Sequence, residues 1–274
     1  MQPIPRSMLF TPATLTAHFD AAVRSGADAL ILDLEDAVAP RDKPQARHHA
    51  LEFLARTDAS PSVATALRIN APSTRSGWQD LGALLDSDAD PDFVVIPKAQ
   101  SADVAGLVKT LLRQSGKTCR IMVIAETALA AAHPGALCDA SVVDAVLFGA
   151  ADMSADLCAD PGAAIIGHAR NALLTHAAAA GIPAIDTPFF DLHDAAGLRE
   201  ASRTAAVEGF AGKAAIHPRQ IGAINTAFTP DKHQVAWAND VLDANDAGTG
   251  TVAGAMVDEA IARRARRILT RTHA

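Results

Sequence analysis

The sequence predicts an α/β fold in which buried parallel strands alternate with helices. Short apolar runs recur along the chain, and helical stretches, several of them ended by a glycine, lie between most of them. Short runs rich in β-branched side chains are typical of strands that are buried on both faces. Because strands that alternate with helices form a parallel sheet, eight such runs favour a (β/α)8 TIM barrel. An open, doubly wound sheet would produce the same local pattern and remains the alternative.

The eight predicted strands are apolar runs. They are separated by turn-forming residues or by predicted helices. Each run is shorter than a typical globular helix, which has about eight residues or more. In chain order, the predicted strands are residues 7–10, 29–34, 64–70, 93–98, 121–125, 142–148, 183–188 and 212–218.

The predicted helices lie between these strands, and their ends carry recognisable signals. Ser101 stands at an N-cap position, and Gly26, Gly181 and Gly209 follow three of the helices where a C-terminal glycine is usual. Within the first 230 residues, the predicted helices are 14–25, 42–56, 101–114, 167–180 and 194–208.

Two further helices are predicted after the last strand, at 231–244 and 255–271, around the glycine-rich link AGTGTVAG. No change in composition marks an earlier boundary. We therefore expect a barrel domain over residues 1–230 and a C-terminal helical extension over residues 231–274.

The composition of the 274-residue chain excludes several classes of protein. Hydrophobic residues make up 49% of the chain and charged residues 20%, which is typical of a globular protein with a large core. The net charge of −7 argues against a nucleic-acid-binding surface. No apolar run reaches the roughly 18 residues that span a bilayer. Because a secretory signal and C-x-x-C spacing are also absent from the sequence, we expect a cytoplasmic protein without nucleic-acid or membrane partners.

Two acids follow neighbouring predicted strands near the centre of the chain. Glu126 comes directly after the fifth strand, and Asp152 lies just past the sixth. Barrels of this class carry their chemistry at the C-terminal ends of the strands. Two carboxylates at neighbouring strand ends suit Mg²⁺, which keeps several waters and binds a substrate carboxylate. The alternative is that both acids cap the helices that follow.

Cationic side chains also occur at the predicted strand ends. Arg68 lies inside a core strand, where an unpaired charge is costly, so it needs either a neighbouring acid or a bound carboxylate. Lys98 could form a Schiff base or serve as a counter-ion, and the nearby acids favour the counter-ion. His217 is a candidate base, although a His-Pro step after a strand is more typical of a turn. The full set of strand-end candidates is Asp33, Glu35, Asp36, Arg68, Lys98, Glu126, Asp152, Asp186 and His217.

A series of segments then identifies a family. In chain order they are PRSMLFTPA, SGADALILDLEDAVAPRDKPQAR, LRIN, VVIPKA, AET, LFGAADMSADL, GIPAIDT, GFAGKAAIHPRQI and MVDEAIARRARRIL. Together they resemble the citrate lyase β subunit-like proteins of the HpcH/HpaI aldolase superfamily, which are related to malyl-CoA and citramalyl-CoA lyases. LDLEDAVAP and GKAAIHPRQI are the most specific of these segments.

The resemblance implies a TIM barrel that forms a homotrimer or hexamer. It also implies Mg²⁺-dependent cleavage of a carbon–carbon bond in a 3-hydroxy-carboxyacyl thioester of the citryl-, malyl- or citramalyl-CoA type. The products would be a 2-oxo acid and an acyl thioester, carried on CoA or an acyl-carrier protein. The segments FTPAT, AETALA and GAADM depart from the usual pattern, yet both metal-type acids are retained.

The resemblance also implies roles for individual residues. Glu126 and Asp152 are similar to the metal ligands, and Arg68 to the residue that holds the carboxylates of the keto-acid half. Lys98 and Glu126 are expected to face the substrate, and Arg6 to contact a CoA phosphate.

The remaining implied roles concern proton transfer. Glu35 and Asp36 resemble acids that hydrogen-bond metal-bound waters. Asp258 stands where an aspartate of the C-terminal MVD motif reaches a neighbouring subunit's site and acts in acid–base chemistry. The candidate bases are therefore Asp258 of a neighbour or a water poised by Glu35 and Asp36.

Three other functions stay open. A class II aldolase acting on free hydroxy-keto acids would have a histidine near the second strand, but none occurs there before His48. A β subunit that works only with carrier and transferase partners would share the same residues. A barrel kept for assembly alone is disfavoured because the acids and Arg68 are intact.

Overall fold

A computed structural model of the protein describes residues 4–56, 63–246 and 250–271. Eight parallel strands close into a barrel in sequence order, with β8 paired to β1, so the prediction of a barrel is confirmed. The open-sheet alternative is wrong. The strands are β1 (Ser7–Pro12), β2 (Ala29–Asp33), β3 (Ala64–Arg68), β4 (Phe93–Ile96), β5 (Arg120–Ala125), β6 (Ala145–Phe148), β7 (Ala184–Asp186) and β8 (Gly212–Ala215).

The side chains of the strands point alternately into the barrel and toward the surrounding helices. Met8, Ile31, Phe93, Ile124 and Ile185 belong to the cluster that fills the barrel interior. A second, larger cluster lies between the strands and the helices. Because both faces are buried, the strands are continuous apolar runs in the sequence.

Nine helices surround the barrel within the described residues up to 230. They are α1 (Phe19–Val23), α2 (Lys43–Leu54), α3 (Arg75–Leu85), α4 (Ala102–Gln114), α5 (Ala128–Ala132), α6 (Ala150–Asp156), α7 (Ala164–Ala180), α8 (Ala195–Glu208) and α9 (Ile221–Phe228). Short 3₁₀ turns lie at Thr16–His18, Pro40–Asp42, Pro134–Leu137 and Pro218–Gln220.

Helix α3 was not predicted, because Gly77 and Gly82 lower the helix propensity of its sequence. Thr74 caps this helix by accepting a hydrogen bond from the backbone N–H of Gly77 at 3.1 Å. A Cβ atom at position 77 would lie 2.2 Å from the carbonyl oxygen of Ala71. The glycine therefore permits close packing of the helix start, which the sequence pattern does not reveal.

The chain continues into α10 (Lys232–Asp246), β9 (Thr251–Val252), β10 (Ala255–Met256) and α11 (Glu259–Thr270). The last helix begins later than the predicted residue 255, because Ala253 and Gly254 have φ values of +50° and +80° and form a hairpin turn between β9 and β10. Part of the predicted glycine-rich link, residues 247–249, lies outside the described residues. Helices α10 and α11 share a small apolar cluster of their own, which includes Ala238 and Ala265.

Among the described residues, no helix combines the length and the hydropathy needed to cross a membrane. The three cysteines are free thiols: Cys119 is buried, Cys138 is partly buried and Cys158 is exposed.

Candidate active site

A cavity of about 410 Å³ opens where the C-terminal ends of the strands meet. Its position follows from the alternation of side chains, because a residue two positions after an interior residue also faces inward. The residues that stand two positions after Ile31, Ala66, Ile124, Leu147 and Ile185 therefore reach the mouth of the barrel. These residues are Asp33, Arg68, Glu126, Gly149 and Thr187, and all five line the cavity.

Arg68 is held between two acids of the preceding strand and loop. Its Nε and Nη2 atoms donate to the two oxygens of Asp33 at 2.7 and 2.6 Å, and Nη1 lies 2.9 Å from Oε2 of Glu35. Burial opposes the charge of Arg68, but the hydrogen bonds to Asp33 and the charges of both acids outweigh it and raise the pKa of Arg68. The internal ion pair anticipated for Arg68 therefore exists. Its hydrogen bonds to Asp33 use two of the five N–H groups that a guanidinium offers, and the contact with Glu35 is ionic.

Glu35 is buried and leaves one oxygen without a hydrogen bond. Its Oε1 accepts from the ammonium of Lys98, whereas Oε2 has only the ionic contact with Arg68 and no hydrogen-bond partner among the described residues. Burial raises the pKa of Glu35, and Arg68 and Lys98 counteract this in part. A buried carboxylate oxygen in this state retains the capacity to accept a hydrogen bond.

Lys98 is surrounded by acids. Its Nζ atom contacts Glu35, lies 3.2 Å from Oδ2 of Asp36 and lies 3.8 Å from Oδ1 of Asp152. Burial lowers the pKa of Lys98, but the hydrogen bond to Glu35 and the nearby carboxylates outweigh it, so the net pKa is raised. A Schiff-base lysine must become neutral, so these surroundings favour the counter-ion over the Schiff base.

The backbone N–H of Lys98 also takes part in the site. Its φ of +52° is unusual for a residue other than glycine, and its N–H donates to Oε1 of Glu126 at 2.7 Å. A strained backbone that aims a donor at a buried acid is typical of functional sites.

Glu126 is buried, with 3% of its surface exposed. Burial, and then repulsion from Asp152, raise the pKa of Glu126 to about 8. Gly149 leaves space beside this carboxylate, because a Cβ atom at position 149 would lie 2.6 Å from Oε2 of Glu126. Within the described residues, no group of three or more His, Cys, Asp or Glu side chains is arranged to hold a metal.

Neither acid acts as a helix cap, which was the alternative for both. Thr127 caps α5 by accepting from the N–H of Ala130 at 3.1 Å, and Gly149 stands at the cap position of α6. Asp152 lies in the first turn of α6 and is 40% exposed in its side chain. Glu126 and Asp152 are therefore available for another role.

Asp186 and His217 do not join the cavity. Ile185 points into the barrel, so Asp186 faces the helix layer, where Arg170 and Lys213 bind it at 2.7 and 2.6 Å. His217 caps the following turn, with Nδ1 accepting from the N–H of Arg219 at 3.1 Å. Both residues have structural partners instead.

Arg6 and Asp258 also lie apart from the cavity of their own chain. Arg6 precedes β1, at the opposite end of the barrel, where its guanidinium pairs with Asp28 at 2.8 Å. Asp258 is exposed and caps α11 by accepting from the N–H of Ile261 at 2.9 Å. Their implied roles, at a CoA phosphate and in a neighbouring subunit, stay predictions.

Two residues that matter for the geometry were missed at the level of sequence. Gly149 makes room for Glu126, and the hydroxyl oxygen of Thr187 accepts from the N–H of Ala150 at 3.2 Å at the start of α6. Lys213 in turn donates to the carbonyl oxygen of Thr187 at 2.7 Å. The available signal was their position at strand ends: Gly149 directly follows the predicted sixth strand, and Thr187 stands two residues after Ile185 near the end of the predicted seventh.

Comparison with known proteins places this chain in a family. The family model for HpcH/HpaI aldolase/citrate lyase matches residues 6–218. The chain is 34% identical to the L-malyl-CoA/beta-methylmalyl-CoA lyase of Rhodobacter capsulatus, with 92% of this chain and 87% of the relative covered. It is 36% identical to the citrate lyase subunit beta-like protein of Mycobacterium tuberculosis, with 96% and 94% covered.

A solved structure agrees with these sequence relatives. The crystal structure of CitE from Mycobacterium tuberculosis in complex with magnesium, acetoacetate and coenzyme A matches with a TM-score of 0.82. The two chains are 31% identical, and the match covers 98% of each. The chain therefore belongs to the HpcH/HpaI aldolase/citrate lyase family and is, like its named relatives, a carbon–carbon lyase.

Proposed function

We propose that this protein is a Mg²⁺-dependent lyase that cleaves a 3-hydroxy-carboxyacyl thioester into a 2-oxo acid and an acyl thioester. The substrate would be of the citryl-, malyl- or citramalyl-CoA type. The observation that carries the proposal is the convergence of Arg68, Glu126 and Asp152 on one cavity at the strand ends. Relatives named for malyl-CoA cleavage, and a neighbouring structure that holds magnesium and coenzyme A, support it.

The side chains of the cavity fit a divalent cation. Glu126 and Asp152 repel each other, and the three further acids Asp33, Glu35 and Asp36 face only the cations Arg68 and Lys98 within this group. Excess negative charge, two carboxylates on neighbouring strand ends and a Glu35 oxygen that accepts no hydrogen bond match Mg²⁺, which takes few protein ligands and keeps several waters.

In this proposal, Glu126 and Asp152 would hold Mg²⁺, and Glu35 and Asp36 would accept hydrogen bonds from metal-bound waters. Bound Mg²⁺ would supply electrophilic stabilisation of the negative charge that develops when the carbon–carbon bond breaks.

Arg68 would orient the substrate. The N–H groups that Asp33 does not use can bind the carboxylate of the 2-oxo-acid half, while Asp33 keeps the guanidinium fixed through two hydrogen bonds. Lys98 would keep Glu126 in place through its backbone N–H. The hydroxyl proton of the substrate would pass to Asp258 of a neighbouring subunit or to a water poised by Glu35 and Asp36.

A cleavage assay tests the proposal. Purified protein would be mixed with malyl-CoA, citramalyl-CoA or citryl-CoA, and release of the 2-oxo acid followed with Mg²⁺ and with EDTA. We expect turnover on at least one thioester that EDTA abolishes. Turnover on free hydroxy-keto acids alone would instead favour a class II aldolase. Turnover that appears only after a co-purifying carrier protein is added would favour a carrier-dependent β subunit.

The space beside Glu126 leads to a prediction for Gly149→Ala. The added methyl group would collide with the Glu126 carboxylate and its Cβ atom, so we expect the carboxylate to move. Mg²⁺ affinity should fall about tenfold and the free energy of unfolding by about 1–3 kcal/mol, as for other overpacked sites. Calorimetric Mg²⁺ titration and urea unfolding measure the two effects.

Gly82→Ala is the matched control, because a Cβ atom at that helical position meets nothing within 4 Å. This control should retain Mg²⁺ affinity and gain a little stability. An unchanged Mg²⁺ affinity in Gly149→Ala would contradict the placement of the ion on Glu126.

We also propose that the protein forms a homotrimer or hexamer in the cytoplasm, and that residues 231–274 act as an extension of the barrel domain at residues 1–230. The separate apolar cluster of α10 and α11 supports the extension, and the distance of Asp258 from its own cavity is consistent with a role across a subunit boundary. Light scattering of the purified protein measures the number of subunits. The activities of wild type and Asp258→Asn should be compared with both proteins in the same oligomeric state. This comparison separates a loss of activity from a loss of assembly.

A further inference from the structure

A second cleft, of about 290 Å³, lies at the opposite end of the barrel from the acidic cavity. Residues of α8, α9, α10 and α11 line it. Its lining also includes Gly209, which precedes β8 and therefore lies near the N-terminal end of that strand. Four arginines line it, and we name it the arginine cleft. They are Arg203, Arg264, Arg267 and Arg271.

Two of these arginines have no acidic partner among the described residues. Arg267 donates to the carbonyl oxygen of Gly209, and Arg271 donates to that of Phe210 at 2.7 Å. A carbonyl oxygen satisfies a hydrogen bond but does not neutralise a charge. Glu208, the acid in the lining, is already paired with Arg170.

The other two arginines each have a side-chain partner. Arg203 forms an ion pair with Glu200 at 2.6 Å on α8, and the guanidinium of Arg264 lies 5.0 Å from the ring centre of Trp237. The arginines thus come from α8, from α11 and from the residue that directly follows α11.

The electrostatics agree with an excess of positive charge. Burial, and then repulsion from Arg267, lower the pKa of Arg271 to about 10. An anion in the cleft would remove this repulsion and use guanidinium N–H groups that the carbonyl oxygens leave available.

We propose that the arginine cleft binds the phosphate groups of a diphosphate-bearing ligand. Guanidinium groups match phosphate oxygens through paired, charge-assisted hydrogen bonds, and several arginines around one cleft favour more than one phosphate. The volume is near the lower end of ligand sites, about 300 to 1,000 Å³, so the phosphates fit inside and the rest of the ligand projects outward. A nucleoside diphosphate and coenzyme A both carry this group.

The test is calorimetric titration of pyrophosphate into the full-length protein at low ionic strength, with EDTA present to exclude metal-mediated binding. Wild type should bind pyrophosphate saturably, and Arg267→Gln should bind it about tenfold more weakly or worse, since it loses charge-assisted contacts. Arg263→Gln is the control, because Arg263 lies exposed on the same helix, carries the same charge and does not line the cleft. It should bind like wild type.

The titrations distinguish binding in the arginine cleft from binding elsewhere. Absence of saturable binding, or equal affinity in wild type and Arg267→Gln, would overturn the proposal, because the anion would then bind elsewhere or not at all. Displacement of pyrophosphate by ADP would assign a nucleotide, and displacement by coenzyme A but not by ADP would assign coenzyme A.

Discussion

Glu126→Gln will lower Mg²⁺-dependent cleavage by about a thousandfold or more, because a neutral amide binds Mg²⁺ poorly and the developing charge loses its stabilisation. The substitution keeps the shape of the side chain, and its amide oxygen can still accept from the N–H of Lys98. The measurement is the rate of 2-oxo acid release across a Mg²⁺ titration. Asp160→Asn is the control, because Asp160 is an exposed acid outside the cavity.

We expect Glu126→Gln to lose activity without losing its fold. Burial and Asp152 raise the pKa of Glu126 to about 8, so the metal-free protein at neutral pH already favours an uncharged group at this position. The melting temperature of metal-free Glu126→Gln should therefore equal or exceed that of wild type. Full Mg²⁺-dependent turnover in this variant would show that Glu126 is not a metal ligand.

The second large effect is expected for Arg68→Met. The substitution removes the partner of Asp33, whose side chain is 2% exposed, and one partner of Glu35. Breaking a buried pair in this way should lower the free energy of unfolding by about 3–5 kcal/mol. Urea unfolding measures this loss, and cleavage should disappear together with the stability.

A double variant separates the structural role of Arg68 from its proposed role in binding the substrate. In Arg68→Met/Asp33→Asn the buried charge of Asp33 is gone, so most of the lost stability should return. Cleavage should stay lost, because no guanidinium remains to hold the substrate carboxylate. Restored cleavage in the double variant would reduce Arg68 to a structural counter-ion.

The strands could be predicted from sequence because both of their faces are buried. Each apolar run is long enough to mark a strand, but a continuous run does not show which residues point inward. Asp186 and Glu126 both come at the end of such a run, yet Asp186 faces Arg170 on α7 and Glu126 faces the cavity. The side-chain direction depends on the register of the closed barrel, which is a property of all eight strands together.

The residues that gather at the strand ends were largely predictable, whereas the contacts that hold them were not. The pairing of Arg68 with Asp33 joins residues 35 positions apart, and the hydrogen bond from Lys98 to Glu126 joins residues 28 apart. The same hydrogen bond needs a positive φ at a lysine, which no local pattern predicts. Likewise, Gly149 matters because the carboxylate of Glu126 lies next to it in space.

The most direct test of the proposed site is a crystal structure of the protein with Mg²⁺ and a 2-oxo acid such as glyoxylate or pyruvate. We expect one ion ligated by Glu126 and Asp152, with the carboxylate of the 2-oxo acid facing Arg68. An ion bound away from both acids, or a 2-oxo acid outside this cavity, would contradict the proposed site.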